Sequence, residues 1–146
     1  MRSRPEDAVL LARAVALSRE HMEAGAGGPF GAVIASADGV VAEGWNQVTS
    51  ALDPTAHAEV VAIRRAAQAL GRFSLAGTTL YTSCEPCPMC LAAAYWARVD
   101  RVVFANTRAQ AAAIGFDDAF LYEQVALPPE ARSLPIGFST TRREKG

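Results

Sequence analysis

The sequence is poor in cysteine, in surplus positive charge and in unbroken apolar stretches, and each shortage closes off a class of protein. Only three cysteines occur in 146 residues, all within positions 84–90, too few and too close together for the disulfide framework of a secreted domain. Three also fall short of the four thiolates that a cysteine-ligated iron–sulfur cluster takes. With 14 basic against 15 acidic residues, no overall positive field draws the chain to a nucleic-acid backbone or an anionic membrane. The opening "MRSRPEDAVLLARAVALSREH" is interrupted by Arg13, Arg19 and Glu20, so it has neither the apolar core of a secretion signal nor the length of a membrane span. A cytoplasmic protein is the expectation. Repeats, low-complexity linkers and composition breaks are missing too, which leaves one domain over residues 1–146, with 51% hydrophobic residues to build its core.

What is present alternates between two periodicities. Val9, Leu10, Val15 and Leu17 recur near helical spacing over residues 5–22, and "GAGGP" stops that helix. "FGAVIASADGVVAEGWN" is two apolar runs joined by Asp38-Gly39, the signal of an antiparallel hairpin. After the polar loop "QVTSALDPT", the alanine-rich "AHAEVVAIRRAAQAL" is helical up to Gly71. "TTLYTS" predicts a buried strand, "CPMCLAAAYWA" a helix, "RVVFA" a strand and "TRAQAAAI" a helix ending at Gly115. The final "TTRREKG" reads as a solvated tail. Strands alternating with helices in the second half imply right-handed crossovers and helices on both faces of the sheet, an α/β fold.

The chemistry concentrates in "TSCEPCPMC", residues 82–90. Pro86 biases Glu85 toward extended backbone, whereas Pro88 suits a first helical turn, where a missing N–H costs nothing. A helix therefore starts near Cys87, putting Cys87 and Cys90 on one face and leaving Cys84 on the incoming strand, as a small packing residue. The helix N-terminus favours thiolates, the form a metal binds. Of the two histidines, His21 reads as a surface residue at a helix end, while His57 opens the second long helix as "HAE". A histidine and glutamate in H-x-E, followed by P-C-x-x-C, is the arrangement of zinc deaminases. His57, Cys87 and Cys90 would hold one zinc ion per chain, leaving the fourth tetrahedral position to water or hydroxide. Glu59 would then be the general base and proton shuttle. A structural zinc normally takes four protein ligands and no poised carboxylate, which argues against a non-catalytic zinc module.

"PFGAVI", "NQVTSALDPTAHAEVVAIRRA", "LYTSCEPCPMCLAAAYWARVDRVVFA" and "GFDDAFLYEQV" closely resemble, from residue 29 to about 125, the bacterial guanine deaminases of the cytidine-deaminase-like superfamily. The resemblance implies a three-layer α/β/α fold with a mixed sheet of about five strands, a homodimer, and a role in purine catabolism through hydrolysis of guanine to xanthine and ammonia. Matched by position, it implies substrate contacts from Asn46, Phe30, Ala58, Trp96 and Asp118, with Asp118 also assisting proton transfer. A carboxylate there suits the N–H donors on guanine's edge. On the residues alone, Asp117 or Asp118 equally suits a helix cap, Asn46 a turn, and Phe30 and Trp96 the core. That branch continues into a longer tail that closes the partner's site, whereas this chain ends in "GFSTTRREKG". A more open pocket would also admit guanosine, ammeline or cytosine. tRNA adenosine deaminase shares the metal motif and would need a basic groove, for which Arg98, Arg101 and Arg108 are the available residues.

Overall fold

A computed structural model describes residues 1–23, 30–113 and 118–139. Helix α1 (Asp7–Glu23) leads into a hairpin of β1 (Gly31–Ser36) and β2 (Gly39–Trp45). A short helix α2 (Val48–Ala51), α3 (Ala58–Leu70), β3 (Thr79–Cys84), α4 (Pro88–Ala97) and β4 (Arg101–Asn106) follow. Two helices, α5 (Arg108–Ala113) and α6 (Ala119–Ala126), and a 3-10 turn at Pro129–Ala131 complete the described chain. The expected stop at "GAGGP", the helix end at Gly115, the alternative cap Asp117 and the solvated tail 140–146 lie outside the described residues.

The strands form one mixed sheet in the order β2-β1-β3-β4. Neighbours are antiparallel except β3 and β4, which run parallel because α4 crosses between them. Among the described residues there are four strands, not about five. Beyond β4 the chain offers alanine-rich and amphipathic helical spacing, and then Pro128, Pro129 and Pro135, which cannot donate to a ladder. The described tail accordingly adds helices instead of a fifth strand. The hairpin turns at Ala37-Asp38, and Gly39, at φ +118°, opens β2.

Strand β1 is without polar side chains from Gly31 to Ala35, all buried, because both faces are covered. Ala32 and Ile34 pack with Ala58, Ala62 and Ala66 of α3 and with Ala94 and Ala97 of α4. Val33 and Ala35 face the other way, onto Ala14 and Leu17 of α1, joined by Tyr81. These are the three layers that the resemblance implies. Small residues let the layers close. A Cβ on Gly44 would run into the Ala58 carbonyl and lie 2.7 Å from the Ala62 nitrogen, so α3 rests directly on the β2 backbone. At the opposite end of α1, Asp7 and Arg4 exchange backbone and carboxylate hydrogen bonds in a capping-box manner. The Asp7 carboxylate also accepts from the Tyr81 phenol at 2.6 Å and is bridged by Arg101 at 2.7 Å and 2.8 Å.

Candidate active site

Sheet register gathers the functional positions at one end of the molecule. Gly31 pairs with Trp45 and Ala32 with Thr82, so the start of β1 and the ends of β2 and β3 lie side by side. Phe30, Asn46 and the Cys84–Cys87 segment therefore emerge together, at the carboxyl end of the parallel pair where open α/β sheets commonly bind ligands. Gln47 donates its backbone N–H to Ala56, folding the 47–56 loop back so that α3 begins at the same end.

Two helix N-termini meet there. His57 is the N-cap of α3 and Cys87 the N-cap of α4, both in extended conformation, and neither side chain caps its own helix. They turn toward each other instead. His57 Nδ1 stands 3.6 Å from Cys87 Sγ and 3.5 Å from Cys90 Sγ, and the three ligand atoms lie within 4.8 Å of one another. A tetrahedral zinc with Zn–S of about 2.3 Å and Zn–N of about 2.1 Å separates nitrogen from sulfur by about 3.6 Å, so the donor set fits that ion in kind and in spacing. Cys84, at the end of β3, stands apart from this cluster, and burial pushes its thiol up.

The electrostatics point the same way. A hydrogen bond from Cys90 is the main cause that holds the Cys87 thiol down to about 4, helped by His57 and opposed by burial. The same bond, with burial, pushes Cys90 up. The two sulfurs are thus pushed in opposite directions, and a divalent cation held between them would favour the thiolate form of both. His57 is raised mainly by its contact with Cys87. Glu59, 8% exposed, is raised by burial first of all.

The positions implied for the substrate are placed unevenly. Ala58 is fully buried at the first turn of α3. The Asn46 backbone N–H donates to the Phe30 carbonyl, tying these two together, and Asn46 Oδ1 accepts from the Val48 N–H at 2.9 Å in the turn that residue type favours. Phe30 is half-buried against the α3 side of the core. Asp118 is the N-cap residue of α6 but makes no side-chain cap bond, and its charge reaches His57. Trp96 is not brought to the cluster within one chain. The inward positions of α4 are Cys90, Ala94 and Ala97, and Trp96 falls on the outward side with Leu91 and Tyr95, 79% exposed.

Two networks around the site escape motif reading. His21, half-exposed in the last turn of α1, is stacked flat on Trp45 with ring centroids 3.6 Å apart, and the Arg65 guanidinium lies over the Trp45 ring at 4.4 Å. Tyr122 and Arg108 form the second, between α6 and the cysteine loop. The three arginines available for a basic groove are engaged elsewhere. Arg101 is held by Asp7, Arg98 donates to the Tyr95 and Trp96 carbonyls, and Arg108 covers Tyr122.

Residues 4–106 match the cytidine and deoxycytidylate deaminase zinc-binding region. The sequence is 54% identical over 126 residues to guanine deaminase of Bacillus subtilis, covering 86% of this chain and 81% of that protein. The X-ray structure of that enzyme superposes with a TM-score of 0.89 at 51% identity, over 94% of this chain and 87% of the other. The tRNA-specific adenosine deaminase of Haemophilus influenzae is 41% identical over 96 residues, 62% of this chain and 56% of that protein.

Proposed function

Because the chain belongs to the family of zinc-dependent cytidine and deoxycytidylate deaminases, we propose that it hydrolyses guanine to xanthine and ammonia. The observation that carries this reading is the closed set of His57, Cys87 and Cys90 beside a buried Glu59, in a chain so similar to a guanine deaminase. Zinc held by those three ligands would supply a Lewis acid that activates water near neutral pH. Glu59 takes the proton that water gives up, hands it to a ring nitrogen, and returns a proton to the departing amino group. Burial raises its proton affinity above that of an ordinary carboxylate, which suits a group that must both accept and donate. Oxygen from water replaces the amino nitrogen at the ring carbon, and ammonia leaves.

Asp118 accepts from the N–H edge of guanine and assists the proton transfers, Asn46 offers its amide to the base, and Phe30 and Ala58 line the pocket. The protein works as a cytoplasmic homodimer in purine catabolism. The apolar residues Leu91, Tyr95, Phe120 and Val125, all more than a third exposed on α4 and α6, support a second copy covering that side. No helix among the described residues is long and apolar enough to cross a membrane.

Ammonia release from guanine, guanosine, ammeline, cytosine, adenine and a tRNA anticodon hairpin tests the assignment. Guanine is expected to give the highest kcat/KM by at least tenfold, the discrimination worth about 1.4 kcal/mol. A preference for any other member replaces the substrate, and ammonia from none of them removes the reading.

A further inference from the structure

We infer that Tyr122 is a positioning residue: its phenol braces α6 against the loop that carries Cys87, and so sets where Asp118 stands. This rests on the proposed role of Asp118 in the deaminase site. Helix α6 contributes no buried residue, and its Phe120, Leu121 and Val125 are 56%, 46% and 62% exposed. Core burial therefore holds it weakly. The Tyr122 hydroxyl, however, donates to the Pro86 carbonyl at 2.5 Å, next to the zinc ligand Cys87.

That carbonyl is a suitable anchor because Pro86 and Pro88 have no N–H, which strips the loop of backbone donors with which to close on itself. The ring is clamped as well. The Arg108 guanidinium lies 3.9 Å from its centroid, and Arg108 is itself fixed by its backbone N–H to Glu85 Oε1 at 3.0 Å and by its Nε, 3.8 Å from Glu85 Oε2. Glu85 donates its own N–H to the Asn106 carbonyl at the end of β4. Residues 85–86, 106–108 and 122 thus form one unit, spanning the cysteine loop, the β4 end and α6. Asp118 lies four residues, about one turn, before Tyr122 on the same helix face, and the Tyr122 N–H donates to the Asp118 carbonyl at 3.3 Å. Whatever holds Tyr122 fixes Asp118.

Tyr122→Phe keeps the ring over Arg108 and removes only the donor. In the full-length, zinc-loaded protein, hydrogen exchange of the 119–126 amides is expected to speed up about tenfold, the equivalent of one hydrogen bond, while β1 and β3 keep their protection. The value of kcat/KM for guanine should fall about tenfold. It should fall further in Asp118→Ala, and no further again when Tyr122→Phe is added to that variant, since a brace acting through Asp118 has nothing left to position. Unchanged exchange in α6, unchanged kcat/KM, or losses that multiply in the double variant would overturn the inference. A wild-type protein that releases no ammonia from guanine defeats the functional reading alone, and the exchange measurement then decides the brace without it.

Discussion

At the scale of single residues, the site is made by side chains that decline their local duties. His57 and Cys87 occupy N-cap positions without capping, because each is committed to the other across two helix ends. Glu59 follows inside the same turn and is buried where a first-turn glutamate would ordinarily be solvated. Replacing it by glutamine preserves shape and removes the titration. Glu59→Gln is expected to keep one zinc per chain by elemental analysis and to lose about 10³-fold or more in kcat; wild-type turnover in that variant would take the base away from Glu59. Cys87→Ala is expected instead to lose the metal and to melt earlier than wild type, as the half-buried His57 and the buried Cys90 are left without the cation they converge on. Zinc retained at one per chain would contradict the ligand set. His57 and Glu59, two positions apart, and Cys87 and Cys90, three apart, were legible in advance because both short spacings stand at the start of a helix. Tyr122 was not, since its partner Pro86 is 36 positions away and the bond exists only once the fold has formed. The stacking of His21 on Trp45 was hidden for the same reason: nothing in its own helix announces Trp45.

Among elements, the hairpin, α3, β3, α4 and β4 followed from apolar period and punctuation, and their differences from expectation have local causes. The loop after β2 hides α2, a single helical turn too short and too polar to carry a period. The resemblance implied about one strand too many, where the described tail forms helices. Placement of α3 depends on Gly44, whose missing side chain admits the carbonyl of Ala58, the residue between His57 and Glu59. Gly44→Ala must push α3 off β2. We expect a loss of about 1–3 kcal/mol in denaturant unfolding, the usual cost of overpacking, together with reduced kcat at unchanged zinc content; full stability would mean that the strand yields instead. At the other end of the sheet, Asp7 joins α1 to β3 and β4. Hydrogen bonds from Arg101 first, then Tyr81, hold its carboxyl far below the usual carboxylate range. A lowered folded-state pKa stabilises above the unfolded value of about 3.9 and loses that contribution as pH falls below it. The gap in melting temperature between wild type and Asp7→Asn should therefore be full at pH 7 and narrow below about pH 4. A gap that stays constant down to pH 3 would show that the carboxylate charge is not what the clamp uses.

For the molecule as a whole, the layers and the metal end were readable because both follow from contacts close in sequence or from sheet alternation, whereas the outward surface of α4 was not. The resemblance set Trp96 beside the base, yet helical phase turns it outward with Tyr95, 79% and 76% exposed. Aromatic area of that size left in water is costly, and Trp and Tyr are the residues that dominate protein interfaces. A second copy seated on α4 would bury both rings and cover Leu91 as well. Sedimentation velocity on the wild-type protein is accordingly expected to report twice the chain mass. In Trp96→Glu a charge replaces the ring on a face that contributes nothing to the chain's own core, so the variant should keep the wild-type circular dichroism spectrum while shifting to the mass of one chain. A wild-type protein that sediments as a monomer, or a Trp96→Glu variant that remains a dimer, would remove α4 from the assembly.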